Sequence, residues 1–212
     1  MNRWPGCTLR TLTRRGALGW IVLFVGTPAL LSRSPSAAAT VAGYAEEIRG
    51  RVTAELAAQR RVLVPRGDVF LGDEVTSGDR SHAALQLGRD TSLRLGANAR
   101  VIIDRFIVNA GGVLTLEAGP LLLDKGPDTS GALQVRGSFG LITIRGTRVF
   151  VGPSNGVIGV FVVHGLVDVT SAGHSVILQT GQGTDIAAPG APPTQPHAWG
   201  ERRIRAALAS VD

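Results

Sequence analysis

From Ile48 to Ile186 the chain is built of short runs in which apolar and polar residues alternate. Ala84-Leu85-Gln86-Leu87, Ser92-Leu93-Arg94-Leu95, Val113-Leu114-Thr115-Leu116 and Val160-Phe161-Val162-Val163 are examples. Such runs, rich in Val, Ile and Leu, are the mark of half-buried strands. Glycine occurs 22 times between Gly43 and Gly183, which is the punctuation of turns rather than of helices. No 3.6-residue stripe holds for three turns. The pattern predicts an all-β domain.

The strands are short and closely spaced, and large aromatics are few. Of three tryptophans only Trp199 lies beyond residue 39. Small turns with Leu, Val and Ile facing inward predict a short-stranded wrapped sandwich or a β-solenoid-like domain. The lack of a strict period disfavours an ideal parallel β-helix. Pro189, Pro192, Pro193 and Pro196 mark residues 187–196 as an extended linker. After it, Ile204, Ala207, Leu208 and Val211 fall at i, i+3, i+4 and i+7, which predicts a short C-terminal amphipathic helix. Its apolar stripe is expected to dock on the domain, or else to meet another protein.

The N-terminus reads differently. Arg14-Arg15 precedes an apolar run from Ala17 to Leu31 that is broken by Gly19, Gly26 and Pro28 and followed by Ser36-Ala37-Ala38-Ala39. Twin Arg, a mildly apolar core and a small-residue end predict a twin-arginine export signal over residues 1–39, cut after Ala39 or Ala42. The alternative is an uncleaved inner-membrane anchor facing the periplasm. The expected organisation is therefore a signal (1–39), a β domain (40–186), the Pro-rich linker (187–196) and a helical tail (197–212).

Removing the signal changes the charge argument. The whole chain holds 22 Lys and Arg against 16 Asp and Glu, but Arg3, Arg10, Arg14, Arg15 and Arg33 all precede residue 40 and no acid does. The remainder is nearly balanced, so the high overall pI does not imply nucleic-acid binding. Cys7 is the single cysteine and also lies in the removed part, which excludes disulfides and thiolate metal sites from the mature protein.

Candidate chemistry is sparse. His82, His164, His174 and His197 stand in no metal-ligand spacing, and no G-x-S-x-G elbow is present. Gly-Asp recurs at Gly67-Asp68, Gly72-Asp73 and Gly78-Asp79, with Glu74 adjacent. The four carboxylates Asp68, Asp73, Glu74 and Asp79 could bind calcium if brought together, but Gly-Asp is ordinary turn chemistry. No cofactor is implied. In Arg145-Gly146-Thr147, Gly146 can take φ > 0 between two apolar strands. Thr147 can close the turn through its hydroxyl, and Arg145 can pair with Glu117 or Asp104.

An ordered set of segments resembles the FecR domain, the periplasmic module of the iron-dicitrate sensor family. It runs from Gly50-Arg51-Val52 through Val69-Phe70-Leu71-Gly72-Asp73-Glu74-Val75-Thr76-Ser77-Gly78 to Ala84-Leu85-Gln86-Leu87. It continues with Thr91-Ser92-Leu93-Arg94-Leu95-Gly96-Ala97-Asn98-Ala99 and Leu116-Glu117-Ala118-Gly119-Pro120-Leu121. It closes with Ile142-Thr143-Ile144-Arg145-Gly146-Thr147-Arg148-Val149-Phe150-Val151 and the pair of strands from Val160 to Val169. Regulators of that family place a cytoplasmic sigma-factor-binding region and a membrane span ahead of the module. Here an export signal stands in that place, so direct sigma-factor control is not expected. The resemblance implies a stand-alone, non-catalytic binding or signalling module in the periplasm, linked to iron uptake or envelope signalling. Its expected partner is another envelope protein. The alternative is an envelope scaffold that recognises cell-wall glycan or polysaccharide.

Overall fold

The computed structural model describes residues 39–107, 111–127 and 131–212, and in it the alternating runs become strands. We number the strands along the chain. One sheet holds β1 (Val41–Arg49), β4 (Asp68–Phe70), β6 (His82–Leu87), β7 (Thr91–Leu95), β10 (Leu121–Lys125), β13 (Arg148–Ser154), β14 (Val157–His164), β17 (Gln182–Ile186) and β18 (His197–Ala198). The other holds β2 (Val52–Leu56), β3 (Gln59–Val62), β5 (Glu74–Ser77), β8 (Arg100–Ile107), β9 (Gly111–Ala118), β11 (Leu133–Gly137), β12 (Gly140–Ile144), β15 (Leu166–Ser171) and β16 (His174–Gln179). A single helix, α1 (Glu201–Ala209), follows β18.

The spatial order explains why sequence left sandwich and solenoid open. The first sheet runs β18-β17-β14-β13-β10-β7-β6-β1-β4, and the second β16-β15-β12-β11-β9-β8-β5-β2-β3. After the first few strands, the chain adds one or two strands to one sheet, crosses, and adds one or two to the other. It is a two-layer sandwich whose strands are laid down progressively, as the rungs of a solenoid are. All strand pairs are antiparallel except β9 with β11.

Period-two burial holds the layers together. Ala83, Leu85 and Leu87 of β6, Leu93 and Leu95 of β7, and Val149 and Val151 of β13 face inward from the first sheet. Val101, Ile103, Leu114, Leu116, Ile142, Ile144, Val167 and Val169 meet them from the second, in one continuous core. This core is aliphatic, with Phe106 and Phe139 as its aromatics, matching the composition.

Three strands are buried on both faces. In β10, β13 and β14 the residues between the core positions are Leu122, Phe150 and Phe161, and they lie under Trp199, Ala207 and Val211. The near-continuous apolar runs Leu121–Leu123 and Val160–Val163 are thus the signature of strands covered on their outer face as well. The helix docks on the domain, and it is two residues shorter than the apolar spacing suggested. Val211 still reaches the cover through a final turn, in which its N–H donates to Leu208 O (3.2 Å).

Residues 187–196 lie along the domain. Gly190 N–H donates to Ser138 O (2.9 Å), the Ser171 hydroxyl donates to Ala191 O (2.7 Å), and Thr194 N–H donates to Asp185 O (3.0 Å). Among the described residues no helix is long and apolar enough to cross a membrane. Arg14 and Arg15, with the rest of the expected signal up to Ala38, lie outside the described residues.

Candidate functional site

The sequence segments singled out above meet at the two ends of the sandwich. At one end Ser77, buried at the close of β5, donates its hydroxyl to Gly96 O (2.5 Å) and accepts Ala99 N–H (2.9 Å). Gly78 N–H donates to Arg51 O (2.9 Å), Asn98 N–H to Gly78 O (3.1 Å) and Gly96 N–H to Pro120 O (3.0 Å). Four separated segments are thereby tied around one serine. A short polar side chain suits this place because it satisfies backbone groups that the turning chain leaves unpaired.

The opposite end carries Arg145-Gly146-Thr147. Gly146 has φ +57°, and a Cβ there would stand 3.1 Å from the Cα of Pro127. The left-handed backbone favours glycine, and the close approach leaves a side chain little room. The one proton of the buried Thr147 hydroxyl is within reach of both Arg145 O (2.9 Å) and Leu166 O (3.0 Å), and its oxygen accepts Leu166 N–H (3.3 Å). The hydroxyl ties its own turn to the β14–β15 turn. There Gly165 at φ +97° would place a Cβ 2.7 Å from that same oxygen.

Arg145 differs from expectation. Its side chain is exposed and makes no ion pair among the described residues. Glu117 instead faces Arg100 (3.6 Å), and Asp104 accepts from the Thr115 hydroxyl (2.5 Å). Both carboxylates lie on the outer face of the second sheet and are engaged with close neighbours there. The buried ion pair at this end is one that sequence did not suggest. Lys125, 4% exposed, donates to Asp90 (3.0 Å), while its backbone N–H donates to Thr147 O (3.0 Å). The signal available was a lone lysine closing the apolar run Leu121–Leu123.

The turn carboxylates do not converge. Asp73 is fully buried and accepts from both terminal guanidinium nitrogens of Arg61, one at 2.8 Å, together with Phe70 N–H at 2.7 Å. Glu74 lies 3.4 Å from Arg100 and Asp79 3.6 Å from Arg80. Asp68 contributes its backbone carbonyl to Arg61 (3.1 Å). Asp73 therefore anchors the β4–β5 turn to β3, and among the described residues no group of three potential ligands could hold a metal.

The third cluster surrounds Trp199. Its indole stacks on Phe161 (5.1 Å between centroids) and meets Phe150 edge-on (6.5 Å). Gly159 and Gly183 leave the floor open, since a Cβ on either would come within 2.6 Å of the ring. Arg203 covers the other face. This cluster holds α1 in place. A cleft of about 270 Å³ lies beside it, lined by Glu47, Arg49, His82 and Arg94. Asp212 closes that cleft, accepting from Arg49 through its carbonyl (3.0 Å) and from Arg94 through its carboxylate (2.6 Å).

The described residues thus define a β-sandwich module whose polar clusters brace turns and strands against one another. Residues 73–168, the centre of the sandwich, match the family model described as FecR protein. Two crystal structures of a candidate anti-sigma factor from Parabacteroides distasonis, at 1.65 and 2.50 Å resolution, share the fold at 15% sequence identity. Their TM-scores are 0.55 and 0.54. The similarity covers 64% of this chain and 64% and 63% of theirs, just under two thirds of their length. No curated protein matches the chain.

Proposed function

We propose that this protein is an exported, non-catalytic signalling module that acts in the periplasm by contact with another protein of the cell envelope. The observation that carries this reading is the FecR match over residues 73–168, which spans the strands from β5 to β15. Support comes from the chemistry of the clusters. Ser77, Asp73 and Thr147 spend their polar atoms on backbone or on one arginine, as bracing groups do. The link to iron uptake rests on the family resemblance alone.

Affinity capture of the tagged protein from a periplasmic extract tests this reading. Recovery of an outer-membrane receptor or a membrane-bound regulator is the expected result. Retention on insoluble cell wall without a protein partner would replace it with the glycan-scaffold alternative. Recovery from the membrane at full precursor mass would make residues 17–31 an anchor and keep the module on the periplasmic side.

A further inference from the structure

One ladder of side chains crosses the outer face of the first sheet and changes character half-way. In register it runs Phe161, Phe150, Leu122, Arg94, Ala84 and Glu47, one residue from each of β14, β13, β10, β7, β6 and β1. The first three are apolar and lie under Trp199 and α1. The last three line the charged cleft, with the short Ala84 between Arg94 and Glu47. Arg49 and His82, directly opposite each other on β1 and β6, complete it.

The segment Ser210-Val211-Asp212, beyond the last residue of α1, follows this ladder from its apolar half to its charged half. Ser210 lies against Gly96, where a Cβ would come 1.9 Å from the serine carbonyl oxygen. Val211 is buried on the apolar half. Asp212 is held by its backbone carbonyl on Arg49 and by its carboxylate on Arg94. A backbone seat, an apolar pocket and two arginines thus read a peptide in order, which a site for a free anion would not need. The hold on Asp212 is loose. Its side chain is 60% exposed and those of Arg94 and Arg49 are 48% and 62% exposed, so water and salt compete for the contact. Donors are also left over: Arg94 spends one nitrogen only, Arg49 Nη2 is unused, and the buried Nδ1 of His82 has no partner among the described residues.

We propose that this cleft is a peptide-binding site for a segment of the envelope partner in which an apolar residue is followed by an acid, and that Ser210-Val211-Asp212 fills it as a ligand supplied in cis. The proposal rests on the reading that the protein works by contact with another protein. The ladder sets the order of the ligand, apolar and then acidic. With Asp212 moved aside, the lining holds two arginines against the single Glu47, so an acid is what the site then lacks. Asp212 takes one nitrogen of Arg94, whereas a carboxylate not tied to α1 is free to fork onto two, the stronger arrangement. The tail of a second copy carries the same helix and the same restraint. It would repeat the contacts of the tail that it replaced, with nothing gained against the freedom lost on association.

Fluorescence anisotropy of a labelled peptide, Gly-Gly-Ser-Val-Glu-Gly, added to the purified protein tests the site. Binding with Kd below about 1 mM is expected, and the same peptide with Gln for Glu should bind at least about fivefold more weakly. Asp212→Asn weakens the resident ligand, so it should raise the affinity for the peptide about two- to fivefold. A latch with a structural role alone gives no such gain. Adding Arg94→Ala to Asp212→Asn should reverse the gain. Arg60→Ala, on the second sheet, should leave the affinity unchanged and so controls for unspecific attraction. The site is overturned if neither the wild type nor Asp212→Asn binds at about 1 mM, or if the Glu and Gln peptides bind alike. Displacement of the peptide by an equal concentration of sodium acetate would overturn it in favour of a plain carboxylate site. A wild-type dimer that Asp212→Asn dissolves would overturn it in favour of tails exchanged between copies. Capture of an envelope protein that persists undiminished in Arg94→Ala would remove this site and leave the signalling reading standing.

Discussion

Arg203 lies over the Trp199 indole with its guanidinium carbon 3.5 Å from the ring centroid, and the same group forks onto Asp185 at 2.5 and 3.1 Å. One side chain from α1 thus holds down the aromatic lid and ties it to β17. Its Nε also donates to Ser154 of β13 (2.9 Å), so the helix is linked to two strands of the sheet that it covers.

Replacing Trp199 with Ala should destabilise the domain by about 3–5 kcal/mol, because a large ring is lost from a site with Gly159 and Gly183 beneath it. Arg203→Ala should cost less, about 2 kcal/mol, from the lost cation–π contact and its hydrogen bonds. Urea unfolding of the purified protein measures both. Equal midpoints for Trp199→Ala and wild type would mean that the lid does not contribute to stability.

The buried Asp73 makes a separate prediction at the other side of the fold. Arg61→Ala leaves its carboxylate without a counter-charge, keeping only Phe70 N–H and whatever water reaches it. The expected loss is about 3 kcal/mol, at the low end for a broken buried pair because Arg61 is itself a third exposed. Arg61→Lys should recover only part of this, since a lysine cannot bond both carboxylate oxygens in parallel. Thermal melts of the two variants side by side give the comparison.

Gly146→Val should destabilise by about 2 kcal/mol or more, combining a left-handed backbone with a crowded β-branched side chain. Gly146→Asn should lose about half as much, because asparagine visits that region readily. Denaturant midpoints test the ranking. If Gly146→Val melts like wild type and partner capture disappears, the turn is a recognition surface and its bracing role is withdrawn.

Export is tested at the other end of the chain. Changing Arg14 and Arg15 together to Lys should leave the precursor in the cytoplasm, because the twin-arginine route reads the pair directly. Fractionation and an immunoblot show the result. Undiminished mature protein in the periplasm would remove the twin-arginine assignment.

The alternation of apolar and polar residues and the density of glycine were enough to establish an all-β domain, because strand burial has a period of two and each turn leaves its glycine in place. The positive φ of Gly146 and the turn-closing hydroxyl of Thr147 were legible for the same local reason. The C-terminal helix was legible from four apolar positions, since a stripe at helical spacing has to be covered. What covers it was not. Leu122, Phe150 and Phe161 reach Trp199 only after strands far apart in sequence have become neighbours. Tertiary structure alone also chose the ion pairs. Arg145 remains exposed while Asp90 takes Lys125 and Asp73 takes Arg61, because charge pairing depends on which turns the sheets bring to the same end. Which strands end up at the edges of the sheets, β18, β4, β16 and β3, is decided in the same way. Whether a strand is interior or terminal depends on the order in which the chain lays strands into the two layers, and local periodicity carries no record of that order.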